Sequence, residues 1–167
     1  MAESTETTVP LQRVTVRTER PFDDVVDGVY AGLGRADLAG LLSRSNTAAN
    51  RAEYDAIVAE AAGTSGLIEF LSLDLGSAIT IRTPERGRRM LRIIAGNPVT
   101  MSTMATSVPD AGSYAPVTIL IVERDGGVTL SYDRVASAIA GYGDAPATAA
   151  AERLDAAVVA LLQSAAG

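Results

Sequence analysis

The 167-residue chain contains no histidine, no cysteine, no tryptophan and no lysine, and all 14 of its basic residues are arginine. Each absence removes a class of chemistry. Without histidine there is no imidazole base for a Ser-His-Asp or Cys-His nucleophile. Without cysteine and histidine no zinc site of the Cys/His type forms, and a disulfide is impossible. Without lysine a Walker-type phosphate loop lacks its ammonium group and a Schiff-base enzyme lacks its amine. Only seven aromatic residues are present, so aliphatic side chains and alanine have to fill the core. No apolar run approaches the roughly 20 residues needed to span a bilayer. The start, Met1-Ala-Glu-Ser-Thr-Glu-Thr-Thr, lacks the basic and apolar regions of a secretory signal.

What is present describes an ordinary globular chain. Hydrophobic residues make up 47% and charged residues 20%. The length suits one domain that buries roughly 70% of its unfolded surface. The net charge of −6 argues against nucleic-acid binding, which needs a basic surface. The expectation is a cytoplasmic protein with no membrane association, a disordered tail over residues 1–12 and one domain over 13–165. Chemistry is left to Asp, Glu, Tyr, Arg, Ser, Thr, Asn and the backbone.

Val14 to Glu19 alternates as a half-buried strand does. Pro21 opens a helix whose apolar positions are Phe22, Val25, Val26, Val29 and Leu33, with Asp23 and Asp24 in the first turn, where the dipole favours anions. Residues 36–63 are helical in pattern, with Asn46 or Thr47 as candidate caps for a second segment containing Tyr54, Ile57, Val58 and Ala61. Leu67 to Leu75 reads as an alternating strand, and Gly76 to Thr83 is compatible with either an extended segment or a short helix. Pro84 to Gly87 is a turn, Met90 to Ala95 a strand, Val99 to Ser107 a short helix and Pro109 to Pro116 a loop. Val117 to Glu123 is apolar on both faces and should be a central strand. Asp125-Gly126-Gly127 signals a hairpin into Val128 to Asp133. A short helix over Val135 to Ala140 and a last helix from Ala147 to Ser164 follow, the latter with Leu154, Val158, Leu161 and Leu162 on one face and Asp155 on another. The result is an α+β layout with antiparallel pairing in at least the hairpin.

Several ordered motifs carry a resemblance. Ile94-Ala-Gly-Asn-Pro98, the Ala115-Pro116-Val117 strand start, Glu123-Arg-Asp-Gly-Gly127 and Ser131-Tyr-Asp133 resemble the DUF302 family, as do the Arg20-Pro-Phe-Asp-Asp start of the first helix and Phe70 to Asp74. The similarity covers about Val14 to Leu162 and is strongest from Ile94 to Gly143. It implies an α+β domain of the TBP-like type, β-α-β(4)-α, with an antiparallel sheet packed on helices, often seen as a homodimer. It implies no known activity. Residues 36–63 are longer than the family's usual link and count as a helical insertion, and Gly76 to Arg92 lacks the alanine-rich helix common there.

The candidate ligand-binding residues are Asn97, Tyr132, Asp133, Arg92 and Asp74. Asn97, between Gly96 and Pro98 at a strand end, either presents its amide to a cleft or bonds the local backbone to hold the turn. Tyr132 and Asp133 end the last strand, where Tyr132 either joins Asn97 at a pocket or simply satisfies its hydroxyl in the core. Asp74 could join Asp133 or Glu69 as an acid and base pair, or be a solvated carboxylate. Arg82, Arg86, Arg88, Arg89 and Arg92 place five cations in eleven positions, an anion site or a solvated turn. Arg92, among apolar neighbours, is expected to face a cavity or to pair with a carboxylate. Met101 and Met104 suit core packing or a pocket lining. Gly32-Leu33-Gly34 follows a helix instead of preceding one, so it is no nucleotide loop. Asp125 fits a turn better than a calcium loop. No metal and no cofactor is expected. The leading expectation is a non-enzymatic domain that binds a small molecule or a partner, on the analogy of helix-grip layouts. An Asp/Tyr/Arg hydrolase or isomerase and a structural homodimer module stand as alternatives.

Overall fold

β1 (Arg13–Thr18) forms where Val14 and Val16 alternate with Thr15 and Arg17. The computed structural model describes residues 1–167, and residues 1–12 carry no helix or strand. Pro21 caps α1 (Phe22–Gly32), which buries Phe22, Val25 and Val29 and carries Asp23 and Asp24 in its first turn. The stretch that the pattern marks as helical holds two helices, α2 (Leu38–Asn46) and α3 (Arg51–Ala61). Neither Asn46 nor Thr47 caps the second. Asn46 ends α2, and Asn50 caps α3 by accepting from the Glu53 N–H at 3.0 Å. The Glu53 carboxylate reaches back to the Ala49 N–H at 2.7 Å, a reciprocal arrangement close to a capping box.

β2 (Ile68–Asp74) is less regular than its sequence. A bulge between Glu69 and Leu71 interrupts the alternation, so Leu71 and Leu73 lie on the face opposite Glu69, and Ser72 shares the face of Glu69. Gly76 to Thr83 resolves as helix: α4 spans Leu75–Arg82 because the Asp74 side chain accepts from the Ser77 N–H at 3.0 Å. A 3₁₀ turn at Pro84–Arg86 leads to β3 (Met90–Gly96). α5 (Pro98–Ala105) buries Met104, and a 3₁₀ segment at Pro109–Ser113 fills the expected loop. β4 (Val117–Arg124) and β5 (Gly127–Asp133) form the hairpin; Gly126 at φ +83 takes the left-handed conformation that its turn requires. α6 (Val135–Ile139) and α7 (Ala145–Ala166) complete the chain.

The five strands lie in the order β1-β5-β4-β3-β2, every neighbour antiparallel. β4 is central, as its two-sided apolarity predicts. Ile93, Ala95, Val117, Ile119, Ile121, Val128 and Leu130 face a single core with α1, α5, α6 and α7. α7 supplies Leu154, Val158, Leu161 and Leu162, each stabilising by about 1.5–3 kcal/mol on burial. Leu41, Ile57, Val58 and Ile68 make a smaller core where α2 and α3 meet β2. The other sheet face, with Thr15, Ser131, Leu120, Arg92 and Leu73 in one register row, faces solvent. No helix is long and apolar enough to cross a membrane.

Candidate functional site

The five sequence candidates do not meet at one place. Asn97 caps α5: its Oδ1 accepts from the Val99 and Thr100 N–H groups at 2.9 and 3.2 Å, and its Nδ2 donates to the Gly66 carbonyl at 2.9 Å. Its amide holds backbone. Tyr132 is buried on the helix-covered face, where its hydroxyl donates to Asp155 Oδ1 at 2.5 Å. Burial, and then the bond to Asp155, raises its pKa far above the ordinary phenol value, so the hydroxyl stays protonated. Arg92 stands on the opposite face. It neither faces a cavity nor pairs with a carboxylate; it is exposed and donates to Thr118 Oγ1 at 3.2 Å. The neighbours that look apolar along the chain point through the sheet to the other side.

Asp133 accepts from the Arg13 Nε and Nη2 at 2.6 and 2.7 Å across the β1–β5 pair. Asp74 ends β2, at the far edge of the sheet. Three strand spacings separate β5 from β2, about 14 Å, so these two carboxylates cannot share a proton. No group of three or more carboxylates converges to hold a metal ion.

Asp74 does belong to a cleft. A volume of about 850 Å³ lies between α1, α4 and the start of β3. α1 contributes Phe22, Val26 and Tyr30, spaced four apart on one face, and α4 contributes Ser77, Thr80 and Ile81. α4 can lie this close because Gly76 packs on the β3 backbone. A Cβ there would come within 2.5 Å of the Arg88 carbonyl oxygen. Arg88, Arg89 and Met90 form the third wall. Arg89 pairs with Asp23 in a forked contact, with Nη1 to Oδ2 at 2.9 Å, and its guanidinium lies 4.4 Å from the centre of the Phe22 ring. Arg88 has no carboxylate within 4.0 Å; Arg82 and Arg86 are exposed beside it. The arginine run is therefore divided, with Arg88 and Arg89 on the cleft and Arg92 on the open face.

Behind the cleft, Tyr30 donates to Ser72 Oγ at 2.9 Å and Ser72 donates to Glu69 Oε1 at 2.6 Å. Arg35 Nε donates to Glu69 Oε2 at 2.8 Å, and its guanidinium sits 4.5 Å from the centre of the Tyr30 ring. This closed set ties α1 to the edge strand and holds the cleft wall in place.

A family model described as "Domain of unknown function DUF302" matches residues 44–164. The chain belongs to this family. The match begins inside α2, so β1 and α1, and with them one wall of the cleft, lie outside it. A crystal structure of an uncharacterized conserved DUF302 protein from Bacillus stearothermophilus aligns over 92% of this chain and 97% of its own, with a TM-score of 0.64 at 9% identity. At that identity the likeness is one of fold, and the fold of this DUF302 protein is the α+β one expected. No curated protein matches the chain.

The residue that sequence reasoning missed is Asp155. It is 1% exposed and accepts from the Tyr132 hydroxyl and from the Val135 and Ala136 N–H groups at 2.9 and 3.1 Å, closing the N-terminus of α6. The signal lay in its neighbours: Ala151, Leu154, Val158 and Leu162 are all buried at helical spacing around it.

The exposed carboxylates give a pH expectation for this DUF302 protein. Hydrogen bonding from Arg89 holds Asp23 below the ordinary range, the Ser77 hydroxyl and N–H do so for Asp74, and Arg13 does so for Asp133. A carboxylate depressed in the folded state contributes stability that is present above its unfolded value and is lost as pH falls through the folded one. With no histidine to titrate, the urea midpoint should be flat between about pH 6 and 8 and should fall below about pH 4. A transition near pH 6.5, the histidine range, would contradict this.

Proposed function

We propose that this DUF302 protein is a non-enzymatic small-molecule-binding domain whose ligand sits in the cleft between α1 and α4. The observation that carries the reading is the cleft itself. At about 850 Å³ it falls in the size range of ligand sites, and beside an apolar wall of Phe22, Val26 and Met90 it holds Arg88, which pairs with none of the cleft's three carboxylates, Asp23, Asp74 and Glu123. Such a lining suits an amphipathic ligand with an apolar body and an anionic end. Binding is favoured over catalysis because Asp74, the cleft carboxylate singled out from sequence, is committed as the cap of α4. Its hydrogen bonds from Ser77 keep it ionised and unsuited to general acid work.

The probe for this reading is 8-anilinonaphthalene-1-sulfonate, an aromatic body with one sulfonate. The native protein should give saturable one-to-one fluorescence enhancement. Ile81 and Arg88 are both exposed at the cleft rim, so Ile81→Glu with Arg88→Glu should leave the fold intact and weaken the dye by about tenfold or more, as expected on losing a charge-assisted contact. Arg153→Glu, on the exposed side of α7, should bind like the parent. Undiminished binding by the double variant, with an unchanged circular dichroism spectrum, would overturn the assignment.

A further inference from the structure

We propose that the open face of the sheet carries a second site, for a phosphate group, built by Arg17 and Arg124 with the hydroxyls of Thr15 and Ser131, beside Thr129, whose own hydroxyl donates to the Val122 carbonyl at 3.4 Å. The register makes the case. Arg17 on β1 stands opposite Thr129 on β5, and Thr129 stands opposite Val122 on β4. Arg124, two residues beyond Val122 on the same side of the strand, turns back so that its Nε donates to Thr129 Oγ1 at 3.3 Å. Two guanidinium groups therefore flank one threonine from neighbouring strands.

Neither has a carboxylate within 4.0 Å. Nearby like charges without a counter-charge destabilise a sheet. Here they stand in a chain of net charge −6, which has acidic residues to spare. The four arginines of this face, Arg13, Arg17, Arg92 and Arg124, meet one carboxylate, Asp133, already held by Arg13. The face is locally positive on a protein that is negative overall.

The remaining groups complement the cations. Thr15 and Ser131 are register partners next to Arg17, and their hydroxyls make no hydrogen bond within the chain. Together with Arg17, Arg124 and Thr129 they line a concavity of about 550 Å³, with Leu120 at its floor. Asp125 lies on its rim at the hairpin turn, beyond ion-pair distance from either arginine. Phosphate is rich in acceptor oxygens and carries between one and two negative charges near neutral pH, which two planar forks and a pair of hydroxyl donors match better than a single carboxylate does. The concavity contains no aromatic side chain, so it has nothing on which a nucleic-acid base could stack. The site lies on the opposite face of the sheet from the cleft and does not depend on it.

The phosphate could be inorganic or the end of an organic ester, and two probes separate these sources. Inorganic phosphate and phenyl phosphate are titrated into the full chain by isothermal calorimetry, with amide shifts followed by NMR. Saturable one-to-one binding is expected, with the largest shifts at Thr15, Thr129 and Ser131. Equal affinities would indicate the free anion, and tighter phenyl phosphate would indicate an ester whose body rests on Leu120; both support the site. Arg17→Gln with Arg124→Gln, at two exposed positions, should weaken binding about tenfold or more. Arg153→Gln and the cleft double variant should not. No saturable binding of either probe, or an affinity unchanged by the Arg17/Arg124 pair of substitutions, would overturn the proposal.

Discussion

Replacing Asp155 by alanine is expected to cost about 3–5 kcal/mol of stability, read as a fall in the urea midpoint. The side chain is 1% exposed and accepts three hydrogen bonds, from the Tyr132 hydroxyl and the Val135 and Ala136 N–H groups. Alanine leaves all three donors without their partner. Two of these bonds are fully buried, and each stranded donor costs about 1–3 kcal/mol. The two backbone donors open α6, so the loss also frays the connection from β5 to α7. Asp155→Asn should fall between parent and alanine, because an amide keeps one acceptor oxygen but turns an NH₂ toward a backbone donor. Tyr132→Phe should cost less, about 1–2 kcal/mol, since it removes one donor and leaves the other two satisfied. An Asp155→Ala protein within 1 kcal/mol of the parent, on the order of a single net hydrogen bond, would refute this account.

Gly34→Ala should destabilise by about 3 kcal/mol or more, at the upper end of overpacking effects. A Cβ at Gly34 would lie 1.9 Å from the Ala61 carbonyl oxygen and 2.7 Å from the Gly63 nitrogen. Both are backbone atoms, so no side-chain rotation relieves the contact. The segment cannot retreat, because the Gly34 N–H donates to the Leu67 carbonyl and its own carbonyl accepts from the Glu69 N–H, each at 2.8 Å. Gly63 meets the same crossing from the other side: its Cβ would lie 2.3 Å from the Gly32 carbonyl oxygen. The glycines that resemble part of a nucleotide loop thus serve a backbone crossing between α1, the end of α3 and β2. Gly112→Ala is the control, with no atom within 4 Å of its added Cβ and an expected change within about 0.5 kcal/mol. Thermal unfolding of the two variants side by side would test the difference, and equal melting temperatures would refute it.

Both substitutions bear on function. The Asp155 result would place the Tyr132 hydroxyl with the core and not with a ligand. The Gly34 crossing anchors Arg35 beside Tyr30 and Glu69, and so holds the network behind the cleft wall.

The architecture was legible along the chain wherever the deciding contacts are local. Strand alternation at Val14 to Thr18, the apolar spacing of α1 and α7, the Asp125-Gly126 turn and the two-sided apolarity of β4 all depend on residues a few positions apart. The local pattern misleads where a single residue shifts it. Phe70 reads as one more alternating position, but the bulge there reverses the facing of everything after it. Asn50, and not Asn46 or Thr47, caps α3, because α2 runs on through Asn46. The site was less legible than the fold. Arg89 was visible as one of a cluster, but its partner Asp23 lies 66 residues away. Arg92 looked enclosed because strand neighbours in sequence point to opposite faces.

By itself, then, the sequence determined the class, the central strand and the chemistry that cannot occur without histidine, cysteine or lysine. Periodicity, capping and composition act within a few residues or over the whole chain, and both are readable from one dimension. Only the tertiary structure decided that Asp155 is a core residue serving Tyr132, that Gly34 and Gly63 exist to let two backbone segments cross, and that the arginines divide between a cleft and an open face. Each of those depends on a distance between residues remote in the chain. Burial, hydrogen bonding and ion pairing act over a few ångströms of space, whatever the separation in sequence.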